Sequence, residues 1–158
     1  MVELARPFGA MVIVNDRADI ARLSGADGVH VGLEDLSPRA VRQLVGADAV
    51  IGLSTHTVEQ LERALDEQVS YIAIGPVFGT VTKHTGYDAI GLERVADAAR
   101  RTTARSLPLI AIGGITLQRA ASVVAAGATS VAVIGDLLAT ADPEGQTRSF
   151  LRVLNDVT

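Results

Sequence analysis

The side chains best suited to chemistry follow short apolar runs of the sequence. Asn15 and Asp16 come directly after one run, and Asp35 comes shortly after the next. Two carboxylates at the ends of neighbouring strands can converge on one hard cation, and Mg²⁺ typically takes one or two carboxylates together with substrate phosphate oxygens. Each aspartate alone has a simpler explanation, because Asp16 could pair with Arg17 and Asp35 could be an ordinary loop carboxylate. The pair together predicts a magnesium site.

Two glycine-containing turns indicate a second kind of site. Gly113-Gly114 and Ile134-Gly135 each precede a predicted helix. Backbone N–H groups at such helix starts can cradle a phosphate, although the glycines could also serve only to make tight turns. The segment 80–84 combines two threonine hydroxyls with Lys83. It is either a mobile lid over a charged substrate or a solvated loop.

The histidines and cysteines limit the alternatives. His30 lies on an apolar run, where a buried and hydrogen-bonded histidine is the simplest interpretation, whereas His56 and His84 are interpreted as surface loop residues. The histidines lack zinc-ligand spacing. The chain contains no cysteine, which excludes disulfides and thiolate metal sites and agrees with a cytoplasmic protein. Ser54 lies just before His56, but we find no Ser-His-Asp arrangement.

The elements that must position these residues alternate along the chain. Strand-like β-branched runs cover residues 11–14, 26–32, 47–52, 69–75, 109–112 and 128–135. Helix signals lie between and after them: Ser37-Pro38 as N-cap and first residue, a Thr57/Gln60 capping box, and apolar spacing over 92–105, 117–126 and 145–157. The regular alternation predicts an α/β fold with a parallel sheet, and favours a TIM (βα)8-type barrel over a doubly wound sheet.

The length accommodates only part of such a barrel. A complete (βα)8 barrel needs roughly 200 residues or more, and this chain has 158. We therefore expect a single partial TIM-barrel domain over residues 1–158, with about six βα units that correspond to strands three to eight. Because an open barrel leaves strand edges and an apolar interior exposed, we also expect self-association into a homo-oligomer.

Composition excludes several classes of function. The formal net charge is −4 and no long Lys/Arg cluster is present, which argues against nucleic-acid binding. No apolar run reaches the ~18 residues of a membrane span, and the N-terminus lacks the pattern of a signal peptide. Apolar residues make up 48% of the chain, as in a globular protein.

Together these motifs resemble the thiamine phosphate synthase family, in order and spacing, over almost the whole chain. The matching segments are Val14-Asn-Asp-Arg17, Ala26-Asp-Gly-Val-His30 with Gly32 and Glu34-Asp35, Ile51-Gly-Leu-Ser54, Gly75-Pro-Val-Phe78 with Thr80 to Lys83, and Ile112-Gly-Gly-Ile115. The resemblance implies an enzyme of thiamine biosynthesis. It would transfer the hydroxymethylpyrimidine group from its diphosphate to thiazole phosphate and release diphosphate.

The resemblance also implies roles for individual residues. Asp16 and Asp35 match the positions that hold Mg²⁺. Asn15, Ser54 and Lys83 match contacts to the pyrimidine diphosphate, and His30 matches a further active-site position. The thiazole phosphate site is matched by Thr80, Val81, Thr82, Gly114, Ile134 and Gly135. Lys83, Ser54 and His30 are therefore the candidate catalytic side chains, and the two small molecules are the expected partners.

Two departures from the family pattern leave alternatives open. Leu33 stands where the family usually has glutamine. In addition, the sequence begins just before the family's third strand, without the Arg- and Lys-bearing strand that grips the pyrimidine diphosphate. One alternative is a thiazole tautomerase-like enzyme of the related barrel type, but retention of Asp16, Asp35 and Lys83 favours the synthase. The other alternative is an inactive remnant that binds thiazole phosphate.

Overall fold

A single parallel sheet of six strands organises the molecule. The computed structural model describes residues 1–80 and 86–155. The strands pair in chain order and form a curled half-barrel. They are β1 (Ile13–Asn15), β2 (Gly28–Val31), β3 (Val50–Thr55), β4 (Tyr71–Ile74), β5 (Leu109–Ile112) and β6 (Ser130–Ala132). The predicted TIM-type α/β fold with six βα units is therefore confirmed.

Helices connect the strands and cover one face of the sheet. They are α1 (Val2–Ala5), α2 (Ala18–Ser24), α3 (Pro38–Val45), α4 (Val58–Ala64), α5 (Gly91–Thr103), α6 (Leu117–Ala125), α7 (Gly135–Leu138) and α8 (Pro143–Asn155), with a short 3₁₀ turn at Arg6–Phe8. In the described part of the chain, no helix is long and apolar enough to cross a bilayer.

The main core lies between the sheet and these helices. Alternate strand residues point toward the helices and are fully buried, among them Val29, Ile51 and Ile72. Helix residues such as Leu61 and Val95 close the layer from the other side. Because side chains alternate across a strand, the residues between these buried ones must point to the opposite, concave face.

The predicted helix starts are confirmed in detail. Ser37 precedes α3, and its hydroxyl accepts a hydrogen bond from the Ala40 N–H, with Pro38 as the first helical residue. At α4 the Thr57 hydroxyl accepts from the Gln60 N–H while the Gln60 side chain accepts from the Thr57 N–H. The N–H groups of a first helical turn lack partners within the helix, and these local hydrogen bonds satisfy them. Because the residues involved are only three apart, the sequence alone is enough to locate the helix starts.

Strand boundaries differ from those predicted. β1 begins at Ile13 rather than at Met11, whose side chain is 66% exposed. β3 continues through Thr55 instead of closing at Gly52, so Ser54 lies within a strand and not after it. Apolar runs give the presence of a strand reliably but not its ends, because sheet pairing decides where a strand continues.

Candidate functional site

The concave face of the sheet presents two adjoining rows of side chains. Residues paired between parallel strands point to the same side of the sheet. One row crosses four strands and consists of Asn15, His30, Gly52 and Tyr71. The next row is displaced by two residues along β3 and consists of Ser54, Ala73, Ile110 and Ser130. The pleat therefore brings polar residues from five strands to one surface, and those of β2, β3 and β4 are His30, Ser54 and Tyr71.

Three of these side chains form a hydrogen-bonded chain. His30 Nε2 lies 2.7 Å from Ser54 Oγ, and His30 Nδ1 lies 2.9 Å from Tyr71 Oη. The His30 and Tyr71 rings are stacked, with centroids 5.5 Å apart. Because β3 lies between these two strands, the rings meet over Gly52. A Cβ atom there would fall well inside the van der Waals radii of both rings.

The Tyr71 hydroxyl keeps its proton at neutral pH. The side chain is half-buried, and this burial raises the pKa of the Tyr71 phenol above its ordinary value. It can therefore act as a hydrogen-bond donor in the chain. His30 and Ser54 are predicted site residues, whereas Tyr71 is not. The available signal was Gly52, a glycine inside a strand, which often marks a close approach of neighbouring groups.

The two predicted metal ligands lie at the carboxyl ends of adjacent strands. Asp16 follows β1 directly, and its backbone N–H donates to the His30 carbonyl at 2.8 Å. It has a φ of 63°, a left-handed conformation that aspartate tolerates better than most residues. Asp35 Oδ2 accepts a hydrogen bond of 2.8 Å from the Gly32 N–H in the loop after β2. Arg17, which could have paired with Asp16, forms an ion pair with Asp19.

This donor set suits a hard cation. Carboxylate oxygens are the ligands that Mg²⁺ prefers, and it needs only one or two of them when substrate phosphate supplies the rest. The Asp35 loop bond engages Oδ2 and not Oδ1. Within residues 1–80 and 86–155, no group of three or more His, Asp or Glu side chains could hold a metal.

Backbone contacts join the loops after β4 and β5. The Val77 N–H donates to the Ile112 carbonyl at 2.9 Å, and the Phe78 N–H donates to the Gly113 carbonyl at 3.0 Å. Gly114 is in a left-handed conformation, and a Cβ there would collide with the segment that ends at Gly79. The loop that leads to Thr80 is therefore held directly against the Gly113-Gly114 turn.

A cation–π contact covers the same junction. The Arg119 guanidinium lies 4.6 Å from the centre of the Phe78 ring and also donates to the Gly114 carbonyl at 2.9 Å. Arg119 was not predicted as part of the site. Its side chain connects α6 with the starts of both loops, so it stabilises their relative position.

The turn after β6 lies beside the start of α6. Ile134 is exposed and precedes Gly135, the first residue of α7. Asp136 Oδ2 accepts hydrogen bonds from the Leu117 N–H at 3.1 Å and from the Gln146 side chain at 2.8 Å. One of the first amides of α6 is therefore already paired with a carboxylate. This hydrogen bond joins the start of α6, which follows the turn at 113–114, to α7, which begins at Gly135.

His56 is not the surface loop residue that the sequence suggested. It is half-buried, its Nδ1 lies 2.5 Å from the Gly75 carbonyl, and its ring stacks on Tyr87 with centroids 4.2 Å apart. The Gln60 side chain donates to the Tyr87 hydroxyl at 2.9 Å. These contacts anchor the chain just beyond the predicted substrate-binding segment.

Not every predicted site residue can be placed. Val81, Thr82 and Lys83 lie outside the described residues, as does His84. Thr80 is described and half-buried. Asn15 in β1 is paired with His30 in β2, and this register places Asn15 on the concave face. The described residues thus bring Asn15, Asp16, His30 and Ser54 to one side of the site.

The fold and the strand-end position of its polar residues define a (βα)-barrel-type protein with its site at the carboxyl edge of the sheet. Residues 1–137 match the family model described as thiamine monophosphate synthase. The chain belongs to this family, which confirms the resemblance inferred from its motifs.

Individual relatives agree. A thiamine-phosphate synthase of Roseiflexus sp. (strain RS-1) is 44% identical over 154 residues, which are 98% of this chain and 64% of the relative. A thiamine-phosphate synthase of Koribacter versatilis (strain Ellin345) is 46% identical over 151 residues, covering 96% of this chain and 69% of the relative. The chain therefore spans about two thirds of the length of these relatives.

A solved structure shows the same architecture. Thiamine phosphate pyrophosphorylase from Pyrococcus furiosus superposes with a TM-score of 0.88 at 28% sequence identity, covering 98% of this chain and 72% of that chain. That structure therefore shares the architecture of this chain over nearly the whole length of this chain.

Proposed function

We propose that this chain carries the reaction of thiamine phosphate synthase: transfer of the hydroxymethylpyrimidine group from its diphosphate to thiazole phosphate, with release of diphosphate. One observation carries the proposal. The two predicted contacts His30 and Ser54 are hydrogen-bonded to each other, and the His30 backbone carbonyl accepts from Asp16, a predicted metal ligand. Side chains with distinct predicted roles toward one substrate thus lie together.

Asp16 and Asp35 are proposed to hold Mg²⁺. When bound, this cation would neutralise charge on the leaving diphosphate. Ser54 and Asn15 are proposed to orient the pyrimidine diphosphate, and Lys83 to add a positive charge to the leaving group. The thiazole nitrogen would then attack the pyrimidine methylene carbon as the carbon–oxygen bond to diphosphate breaks. This step needs no protein nucleophile, in agreement with the absence of cysteine.

The thiazole phosphate is proposed to bind across the junction of the last three strand ends. Thr80, Gly114 and the turn of Ile134 and Gly135 come from the loops after β4, β5 and β6, and the first two loops are joined by backbone hydrogen bonds. Val81 and Thr82 are assigned to this site by resemblance alone. A cytoplasmic location and self-association stay predictions of the sequence.

The test is an assay with both substrates and Mg²⁺, performed on the wild-type chain and two variants. Asp16→Ala should lower turnover by at least about 100-fold, because a lost ligand removes charge stabilisation of several kcal/mol. Asp19→Ala is the matched control. It removes an exposed carboxylate three residues away that is paired with Arg17, and we expect it to retain activity.

Other outcomes would point to the alternatives. Binding of thiazole phosphate by calorimetry without any turnover would indicate the non-catalytic remnant. Tautomer conversion of a thiazole phosphate that persists in Asp16→Ala would indicate the tautomerase. Equal activity of Asp16→Ala and wild type in the synthase assay would contradict the assigned metal site.

A further inference from the structure

We infer that Tyr71 is a positioning residue: it fixes the tautomer of His30 and thereby makes Ser54 a hydrogen-bond donor toward the pyrimidine diphosphate. The inference rests on the proposed function for the identity of this substrate. It assigns a role to a tyrosine that does not belong to the predicted site, and it explains why a glycine stands at position 52.

The geometry defines a chain of three groups. Tyr71 Oη lies 2.9 Å from His30 Nδ1, and Ser54 Oγ lies 2.7 Å from His30 Nε2. A neutral imidazole has one N–H donor and one acceptor nitrogen. The direction of the first hydrogen bond therefore decides the direction of the second.

Two arrangements satisfy these distances. In the first, the Tyr71 hydroxyl donates to Nδ1 and the Nε2–H of His30 donates to Ser54. In the second, the Nδ1–H donates to Tyr71 and the Ser54 hydroxyl donates to Nε2. The Ser54 proton is available to a substrate only in the first arrangement, since the second uses it for His30.

The chemistry of the hydroxyls favours the first arrangement. A phenol, with an ordinary pKa of about 10, is a stronger donor than an aliphatic alcohol. Its oxygen is also the poorer acceptor, because a lone pair is delocalised into the ring. Burial raises the pKa of the Tyr71 phenol above its ordinary value, so the oxygen keeps the proton that it donates. The stronger donor thus bonds the imidazole, and the better acceptor, Ser54, receives the Nε2–H.

Packing holds Tyr71 in place for this role. Its ring stacks on His30 with an interplanar angle of 23°. The space for both rings is provided by Gly52, which is paired with His30 on one side and with Tyr71 on the other. With any side chain at position 52, the rings could not both keep these positions.

The consequence for the substrate is that Ser54 presents a hydrogen-bond donor to it. A diphosphate offers only acceptor oxygens, so a serine that donates is favourable beside it and a serine that presents lone pairs is not. We therefore expect Tyr71 to act on affinity for the pyrimidine diphosphate through two other side chains, without contacting the reacting atoms.

The first measurement is histidine nitrogen NMR of the wild type and Tyr71→Phe, at a pH where the rings are neutral. Wild-type His30 should show the Nε2–H tautomer, and Tyr71→Phe should shift it toward a mixture. The His56 signal is an internal control, because His56 bonds the Gly75 carbonyl and not Tyr71. Wild-type His30 in the Nδ1–H tautomer, or an unchanged His30 in Tyr71→Phe, would overturn the inference.

The second measurement is steady-state kinetics with each substrate varied in turn. Tyr71→Phe should raise KM for the pyrimidine diphosphate about 3- to 10-fold, the range expected for one hydrogen bond. KM for thiazole phosphate should change less than about 2-fold. A further loss of the same size on adding Tyr71→Phe to Ser54→Ala would show that Tyr71 does not act through Ser54, and would overturn the inference.

A matched control separates positioning from stability. Thr102→Val removes a buried hydroxyl that bonds only carbonyls of its own helix among the contacts described, and it should leave both KM values unchanged. If the wild type shows no synthase turnover, the proposed function fails. The NMR result and direct titration with the pyrimidine diphosphate then still decide the role of Tyr71. If His30 shows the expected tautomers but wild type and Tyr71→Phe bind the pyrimidine diphosphate with equal affinity, the role of Tyr71 is refuted.

Discussion

Gly52→Ala tests whether the concave face is organised around the missing side chain at position 52. The added Cβ would lie within 3.0 Å of atoms of both His30 and Tyr71, which is closer than real Cβ atoms come to neighbours. One or both rings must therefore move, and the hydrogen bond between His30 and Tyr71 would be lost with them. The bond from His30 to Ser54 is expected to weaken as well.

The expected magnitude follows from three contributions. Forcing an extra carbon into a packed site typically costs about 1–3 kcal/mol. Loss of one or two hydrogen bonds adds about 1 kcal/mol each. Replacing glycine by alanine recovers about 0.4–1 kcal/mol by restricting the unfolded chain. The net loss in the free energy of unfolding is then about 2–4 kcal/mol, which is roughly a 5–15 °C fall in Tm for a chain of this length.

The assay is urea unfolding followed by circular dichroism, with two comparisons. Gly79→Ala is the control glycine, since its Cβ would meet no atom within 4 Å, and we expect a change below about 0.5 kcal/mol. In a Tyr71→Ala background, which removes one of the clashing rings, Gly52→Ala should cost less than half its effect in the wild type. Full additivity of the two substitutions, or a Gly52→Ala protein as stable as the control, would refute the reasoning.

Three further predictions concern local interactions. Thr55→Val should lower the unfolding free energy by about 1–3 kcal/mol in urea titrations, because the buried Thr55 hydroxyl donates to the Ala73 carbonyl at 2.9 Å; an unchanged midpoint would contradict this. Thr57→Ala should cost about 1 kcal/mol by removing the cap of α4, whereas Thr57→Ser should cost little. The hydrogen bond from Arg17 lowers the pKa of Asp19 to about 2, so its small contribution should be present above pH 4 and lost as the pH falls toward 2; a difference between wild type and Asp19→Asn that does not shrink over that range would argue against the pair.

Much of the fold could be predicted because its signals are local. The capping box of Thr57 depends on residues three apart, and β5 was located at both ends from its apolar run alone. The end of β3 could not be found in this way. Glycine is typical of the end of a strand, yet β3 continues past Gly52, because pairing with β2 extends to Leu53 and pairing with β4 extends to Thr55.

The site residues likewise differ in whether a local sequence signal reveals them. Asp16 and His30 were selected because polar residues near the ends of apolar runs are conspicuous in the sequence. Tyr71 was not selected, because a tyrosine in a strand is ordinary and its partner His30 is 41 residues away. Only the sheet register, which places Gly52 between them, reveals the contact. Arg119 was missed for the same reason, since its contact with Phe78 depends on how α6 packs beside the loop after β4.

The loops after β4 and β5 are joined by backbone hydrogen bonds, to which the Arg119 side chain adds its contacts with Phe78 and Gly114. Val77 and Phe78 donate their N–H groups to carbonyls at the end of β5. Gly113 and Gly114 must both lack side chains, because the backbone of the loop after β4 passes too close to leave room for a Cβ atom. Substitutions of exposed residues in the loop should therefore leave the phosphate-side turns in place. A methyl group at Gly114 would instead push Phe78 and Gly79, in the loop after β4, away from the turn after β5. It should therefore weaken thiazole phosphate binding without disturbing the hydrogen bond between His30 and Ser54.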